Sequence, residues 1–282
     1  MIDSVGAGKP AGFAPSSRRW SARRTPAAAS YVAVKRKHTE EVGAAFEALD
    51  FSAAGSFAAM QNLLVSLCER SDVHGVILVM SSQPDFDEVA LTNLIPAHKD
   101  VDGLSAANLG VLVQGGPDRK FLAPATPRAC IVLAESEMSM KGRHAVVIGR
   151  GRTVGKPLAN MLVNAGATVT VCHSATPDIA QISRSAEVVF VATGRPRRFG
   201  REYFRDGQVV VDAGIGFIDG KLAGDVDLPS LEALDVSVTP VPGGVGPLTS
   251  VLILENLLQL IEIAAHGDLL DYPGGAGQES CV

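Results

Sequence analysis

Residues 145–176, AVVIGRGRTVGKPLANMLVNAGATVTVCHSAT, do most to limit what this chain can become. They read as strand, glycine turn, helix, strand. Residues 145–148, AVVI, are a short apolar run of the kind a strand buried on both faces requires. Gly149, Gly151 and Gly155 make a turn that opens onto residues 156–165, where Leu158, Met161 and Leu162 fall at helical spacing. Gly166 supplies the helix stop, and residues 167–172 form a second β-branched run. A βαβ unit of this length is the dinucleotide-binding building block of doubly wound sheets, whose glycines let backbone N–H groups and a helix N-terminus approach a pyrophosphate. The spacing is GxGxxxG rather than GxGxxG, so a tight structural turn is the alternative reading of the glycines alone.

The same stretch bears on cofactor choice. A nicotinamide dinucleotide without a 2′-phosphate is usually held by an acidic residue at the end of the second strand. Here that strand ends Cys172-His173-Ser174-Ala175-Thr176, without a carboxylate, and Arg150 and Arg152 stand in the turn. Hydroxyls and guanidinium groups suit a phosphate dianion, so the pattern favours NADP over NAD. Solvated loop charges are the plainer account of the arginines.

A chain of 282 residues has room for two domains of ordinary size. Its net charge of −5 gives no reason to expect a nucleic-acid partner. The charge is uneven: residues 1–30 carry +4, which leaves −9 on the rest. Cys68, Cys130, Cys172 and Cys281 lack metal-ligand spacing and read as free thiols of a reducing cytoplasm, so no metal is expected. No apolar run approaches ~18 residues, so no membrane span is expected, and no h-region marks a signal peptide. Residues 1–30 are rich in Arg, Ala and Ser and poor in acid, as transit peptides are. The folded pattern nevertheless starts directly at Tyr31, and a cytoplasmic location is the preferred expectation.

Taken in order, residues 1–29 show no periodicity and are expected to be disordered. A helix is expected from Ser30 to the stop at Gly43, with Tyr31, Val34 and the stem of Lys35 on one side. Residues 46–51 suggest a strand. Residues 56–72 suggest a helix with a stripe of Phe57, Met60, Leu63, Leu64, Leu67 and Cys68. GVILVM at 75–80 is a buried strand, and residues 96–108 are a polar loop. Thr126 as N-cap and Pro127 as first helical residue open a helix to about Ser136. Beyond residue 176 a short helix (179–185) and strands at 188–192, 209–212 and 236–239 continue the βα rhythm, each strand followed by a glycine-bearing loop. Loops after strand C-termini line the ligand crevice of a parallel sheet. A long amphipathic helix at 248–265 and a tail at 267–282, expected to be disordered, close the chain.

Three constellations carry chemistry. Tyr31-x-x-x-Lys35 puts two side chains one helical turn apart, and a lysine among apolar and phenolic neighbours can serve as acid or base near neutral pH. The same spacing occurs in short-chain dehydrogenases, but there the glycine turn comes first. Ordinary helix surface is the alternative. Asp100-x-Asp102-Gly103 lacks the other ligands of a calcium loop and reads as a turn aiming one carboxylate at adjacent N–H donors of an amino-pyrimidine-like edge. The loop 242–247, PGGVGP, holds too many glycines and prolines for a mere connector.

Jointly, Tyr31-Val32-x-x-Lys35-x-Lys37, Glu41-Val42-Gly43, Val73-His74-Gly75, Lys99-Asp100-Val101-Asp102-Gly103, Pro124-x-Thr126-Pro127, Gly149-Arg150-x-x-x-Val154-Gly155-x-Pro157, Cys172-His173-Ser174-x-Thr176, Gly224-Asp225-Val226 and TPVPGGVGP at 239–247 occur in this order. The chain thereby resembles the bifunctional methylenetetrahydrofolate dehydrogenase / methenyltetrahydrofolate cyclohydrolase family, from about Pro26 to Ile263. The resemblance implies oxidation of 5,10-methylenetetrahydrofolate by NADP, then hydrolysis of the methenyl product to 10-formyltetrahydrofolate. It implies a homodimer of two-domain α/β subunits. A discontinuous, smaller substrate domain (1–139 plus 248–282) would hold folate, and a Rossmann-like doubly wound parallel sheet (140–247) would hold NADP.

By the same resemblance Lys35 is the acid/base residue of hydrolysis, Tyr31 stacks on folate and Asp102 holds the pterin. Arg150 and Ser174 meet the 2′-phosphate, Gly149 and Gly151 the pyrophosphate, and Ile215 the nicotinamide end. Thr153, Val154, His173, Thr176 and Thr193 complete the cofactor set. Pro242, Gly243, Gly244, Pro247 and Thr249 close over the substrate.

Three departures stand out. Val79 occupies the place of a family glutamine beside the lysine, and an apolar side chain can neither hydrogen-bond an ammonium nor orient water, so hydride transfer is expected to survive better than hydrolysis. Gln83, further along the loop, is a candidate substitute. Residues 1–29 hold no apolar run able to supply the family's first strand, so the substrate domain is expected to lack an edge. Gly151 replaces a serine. The alternatives are a non-catalytic NADP- or folate-binding relative, or an NADP oxidoreductase whose substrate changed around residues 81–87.

Overall fold

Five parallel strands, each four-square with the expected apolar runs except the last, build the larger sheet of this computed structural model, which describes residues 2–6, 26–49, 56–79, 87–115 and 122–266. In chain order the elements are β1 (Ile2–Gly6), α1 (Pro26–Glu41), β2 (Ala45–Leu49), α2 (Phe57–Glu69), β3 (Gly75–Leu78), α3 (Glu88–Thr92), α4 (Ala106–Gln114), α5 (Ala125–Glu135), β4 (His144–Ile148), α6 (Gly155–Asn164), β5 (Thr168–Cys172), α7 (Ile179–Ser185), β6 (Val188–Val191), β7 (Val209–Asp212), β8 (Gly216–Ile218), β9 (Lys221–Ala223), β10 (Ser237–Val238) and α8 (Val245–His266). The chain divides into two units. Among the described residues, the first runs to Val111 and adds Leu122 and the chain from Ile253 onward. The second takes residues 112–115 and 123–252. Residues 123–139 thus group with the second unit, whereas the sequence expectation placed them in the substrate domain.

In the first unit β1 lies between β2 and β3 and pairs antiparallel with both, Ile2 opposite Leu49 on one side and Leu78 on the other. This corrects two expectations: Ile2–Gly6 is a strand rather than disorder, and the sheet has the strand that 1–29 were judged unable to supply. A central strand is selected by backbone pairing on both sides, which a five-residue segment can satisfy without an apolar run. The remainder of 7–25 and the tail after 266 lie outside the described residues.

Helix α1 starts at Pro26 rather than Ser30, because proline suits the first helical position and the alanines after it are the best helix formers. Gly43, at φ +78°, ends it, with the Ala44 N–H donating to Thr39 O at 3.1 Å. Its buried stripe is Val32, Lys35 and Thr39, while Val34 is 43% exposed, against the expected Tyr31–Val34 face. Behind α2, Met60, Leu64, Leu67 and Cys68 pack with Val73, Val76, Leu91 and Ile95 into the core of this unit. Ser56 caps α2, accepting the Ala59 N–H at 3.2 Å. Leu63, expected in the stripe, is exposed.

In the second unit the strand order is β10-β7-β6-β4-β5, all parallel. The first two strands in chain order, β4 and β5, thus wind one way and the later three the other, and the order reverses between β4 and β6. Every residue of β6 and β7 is buried, as VVFV and VVVD require of central strands. The core combines these strands with Phe199, Phe204, Val226 and Leu231. Helix α5 begins at Ala125 with Pro124 at its cap, so Thr126 and Pro127 lie inside its first turn rather than at the cap. The β8–β9 hairpin had no expectation attached.

Residues 245–263 of α8, with a mean hydropathy of 1.3, are long and apolar enough to cross a bilayer, contrary to the expectation that no such run exists. A core helix meets the same test, and here Leu252, Ile253, Leu257 and Leu260 are buried within the protein.

Candidate active site

Among the described residues of the first unit, Lys35 is the buried cation. It sits on the third turn of α1 with 3% of its surface exposed, at the centre of the Val32–Thr39 stripe. Asp102 lies in the turn that follows the short 3₁₀ segment 97–99. Asp100 shapes that turn: its Oδ2 accepts the Ser105 N–H at 2.7 Å and Asn108 Nδ2 at 2.8 Å. Gly103 takes φ +69° as the chain reverses, and Asn256 Nδ2 donates to Val101 O at 2.9 Å. Lys99 is used differently from its neighbours. Its Nζ donates to Cys68 O and Arg70 O, both at 2.7 Å, closing the C-terminus of α2.

Burial pushes the Asp102 carboxyl up to about 6; the Lys35 charge opposes this and Asp100 adds to it. A half-buried carboxylate ionised near neutral pH, next to a buried ammonium, can accept paired N–H donors and hold the lysine's proton in play. Val79 follows β3 directly and is half-buried. The Tyr31 side chain and Gln83 lie outside the described residues.

The cofactor candidates gather at the C-terminal ends of β4 and β5, beside the reversal of strand order. Gly149 takes φ +122° and donates its N–H to Cys172 O at 2.9 Å. A Cβ at Gly149 would strike Ala192 O, and one at Gly155 would strike Gly149 O, so both glycines are demanded by close backbone approach. Val154 precedes α6 without a side-chain cap; Lys156 N–H donates to Gly151 O at 3.0 Å and Pro157 has no N–H, so the start of the helix offers an anion the Gly155 N–H. Arg150, Gly151 and Thr153 are exposed and Arg152 is half-buried. After β5, Thr176 Oγ1 accepts the His173 N–H at 2.9 Å, and His173 Nδ1 accepts the Ala175 N–H at 3.2 Å, so the loop presents Ser174 outward.

Two aspartates that the sequence reading gave no role organise the next two loops. Asp225 Oδ2 accepts Thr193 N–H at 2.6 Å, Thr193 Oγ1 at 2.8 Å and Gly194 N–H at 2.9 Å. Asp212, last residue of β7, accepts Gly214 N–H at 2.9 Å and Asp225 N–H at 3.1 Å on Oδ1, and Val226 N–H at 2.8 Å on Oδ2. Burial raises the Asp212 carboxyl to about 6, the three N–H donors hold it down and the Asp225 charge raises it further. The signal was present as a carboxylate ending the apolar run VVVD and as the glycine before Asp225. Ile215 follows β7 and is exposed.

From β10 the chain passes Pro242 and Gly243, both exposed, to Gly244, whose N–H donates to Pro240 O at 2.8 Å. Pro247 is exposed. Thr249 is buried and donates its hydroxyl to Val245 O at 3.0 Å. Lys35, Asp102 and Val79 thus belong to the first unit, and the nucleotide residues with residues 242–249 belong to the second.

Residues 18–102 match the model of the tetrahydrofolate dehydrogenase/cyclohydrolase catalytic domain, and residues 124–265 match that of the NAD(P)-binding domain of the same name. The bifunctional protein FolD of Thermotoga sp. (strain RQ2) is 39% identical over 253 residues, 89% of this chain and 90% of the relative. The crystal structure of the bifunctional methylenetetrahydrofolate dehydrogenase/cyclohydrolase from Campylobacter jejuni superposes with a TM-score of 0.75 at 35% identity, covering 85% of each chain. The Trypanosoma brucei enzyme, solved with NADP cofactor and inhibitor, gives 0.75 at 33% identity, covering 85% of this chain and 84% of that one.

Proposed function

The chain belongs to the tetrahydrofolate dehydrogenase/cyclohydrolase family, and from that premise we propose how its own residues divide the family's two reactions. It is an NADP-dependent methylenetetrahydrofolate dehydrogenase and methenyltetrahydrofolate cyclohydrolase of folate one-carbon metabolism. In the first reaction 5,10-methylenetetrahydrofolate loses a hydride and becomes the methenyl cation. In the second, water adds to that cation, a carbon–nitrogen bond opens and a proton is released, leaving 10-formyltetrahydrofolate.

NADP supplies the hydride acceptor, and the residues present fit it. The Gly149–Gly155 turn admits a pyrophosphate against backbone, and the uncapped start of α6 favours anions. Arg150 and Ser174 suit a 2′-phosphate at a strand end free of carboxylate. Thr153, Val154, His173 and Thr176 line the same side, and Thr193 and Ile215 the other. Asp102 takes the pterin N–H donors and Lys35 carries the proton of hydrolysis, with Tyr31 against the folate ring. Pro242, Gly243, Gly244, Pro247 and Thr249 contribute to substrate closure. Val79 slows the hydrolytic step, because its apolar side chain offers water no hydrogen-bonding group.

The observation that carries this division is the electrostatic pairing of buried Lys35 with Asp102 in the unit that matches the catalytic domain. Incubation of the protein with methylenetetrahydrofolate and NADP tests it. NADPH and methenyl absorbance should rise together, and the methenyl absorbance should then decay faster than in buffer. No NADPH from any one-carbon tetrahydrofolate would overturn it. The proposal extends to a homodimer, as the family resemblance implies, and to the cytoplasm, supported by the buried reduced thiols of Cys68, Cys130 and Cys172. Sedimentation of the pure protein and fractionation of its host cells check the two.

A further inference from the structure

We propose that Asp225 is a positioning residue for the nicotinamide half of the cofactor: its carboxylate fixes the β6 loop through Thr193 and Gly194 and seats the β7 loop through Gly214. The inference rests on the reading of this unit as an NADP site.

Asp225 is fully buried, and its Oδ2 takes three donors, two of them the backbone N–H groups of Thr193 and Gly194. Its Oδ1 has no hydrogen-bond partner among the described residues. Gly214 packs directly on the carboxylate, where an added Cβ would strike its carbon and both oxygens. Oδ2 therefore holds the β6 loop, while the β7 loop immediately before Ile215 packs against the carboxylate group itself. The segment carrying Asp225 is itself held by Asp212 through the N–H groups of Asp225 and Val226. A Cβ at Gly224 would strike Asp212, so the glycine lets this segment lie directly against that carboxylate.

The direction of the effect follows from the sheet. A dinucleotide lies across the crevice where strand order reverses, so its adenosine half rests on the ends of the first two strands and its other half on the strands beyond the reversal. Here the former are β4 and β5, and the latter are β6 and β7. Asp225 touches only the latter pair of loops. None of its hydrogen bonds reaches the Gly149 turn or the Ser174 loop. A buried carboxylate accepting backbone N–H groups is a strong, preformed hold, whereas an amide of the same shape accepts more weakly and would put its NH₂ where Oδ1 has no hydrogen-bond partner among the described residues.

The test compares two ligands on the full-length protein. NADP spans both halves of the crevice, and 2′,5′-ADP fills only the adenosine half. Asp225→Asn should raise the Kd for NADP about tenfold or more, as expected when bonds to a carboxylate become bonds to a neutral oxygen, and leave 2′,5′-ADP within about twofold. Thr193→Val, which removes a single donor, should move the same ratio in the same direction by a smaller factor, and Thr193→Ser should restore it. General loss of structure would weaken both ligands together. Equal shifts for the two ligands in the Thr193→Val protein, or no shift in either, would overturn the role of Asp225 even where Asp225→Asn fails to fold. A wild-type protein that binds neither ligand would overturn the NADP reading itself.

Discussion

Lys35 of α1 and Asp102 of the turn after residues 97–99 are electrostatic partners inside the first unit: burial lifts the Asp102 carboxyl to about 6, and the lysine's charge keeps it from rising further. Lys35→Met removes the restraining charge, so Asp102 should titrate above 6. Cyclohydrolysis should be lost, by the ~10²–10⁴-fold typical of a missing acid/base group, while NADP affinity stays within about twofold. Methenyltetrahydrofolate decay and an NADP titration read the two effects. Unchanged hydrolysis would remove Lys35 from its role.

The same carboxyl sets a pH dependence. Its usual value is 3.8 and its folded value about 6, so between them the folded protein holds a proton that the unfolded chain has released. This contribution to stability is complete below 3.8 and is lost as pH rises through 6. Function runs the other way: the ionised form accepts the pterin N–H donors, so the KM for folate should climb as pH falls below about 6. A KM–pH profile flat through that window in the wild type, with Asp102→Asn also unaffected, would contradict it.

Val79→Gln should accelerate cyclohydrolysis, by roughly tenfold or more if the amide orients water or hydrogen-bonds the lysine. The dehydrogenase kcat should change little. The ratio of methenyl decay to NADPH formation is the measurement, and a ratio equal to wild type would show that Val79 does not limit the hydrolytic step.

Arg150→Ala should raise the KM for NADP roughly ten- to hundredfold, the value of a charge-assisted hydrogen bond, and leave the KM for NAD within a few-fold. Parallel weakening of both dinucleotides would place Arg150 at the pyrophosphate instead.

Gly149→Ala sets a side chain at φ +122° and drives its Cβ into Ala192 O. A loss of about 1–3 kcal/mol in stability and of NADP binding is expected, read by thermal melting with and without cofactor.

Lys99→Met should lower stability by about 1–3 kcal/mol by leaving the carbonyls of Cys68 and Arg70 without their ammonium donor. Folate kinetics at a temperature well below the melt should stay near wild type. A lost kcat with an unchanged melting temperature would move Lys99 from structure to chemistry.

Much of the nucleotide unit was legible because central parallel strands must be continuous apolar runs. AVVI, VVFV and VVVD can be little else, and glycines mark where backbone meets backbone or cofactor. Order along the chain, together with the spacing of Lys35, Asp102 and the Gly149 turn, was sufficient to point to the family. Side-chain chemistry that depends only on residue type and neighbours in sequence is written there.

What only the tertiary structure decided are pairings between distant segments, for which sequence carries no local signal. Ile2–Gly6 becomes a central strand because Leu49 and Leu78 flank it, although IDSVG has no periodicity of its own. Lys99 turns from the chemistry of its motif to cap a helix that ended some thirty residues earlier. Asp225 acquires its meaning from Thr193 and Gly194 on another loop. Composition and spacing determine which groups are available; long-range packing determines which of them meet, because burial leaves each polar group to find a partner wherever the fold brings one.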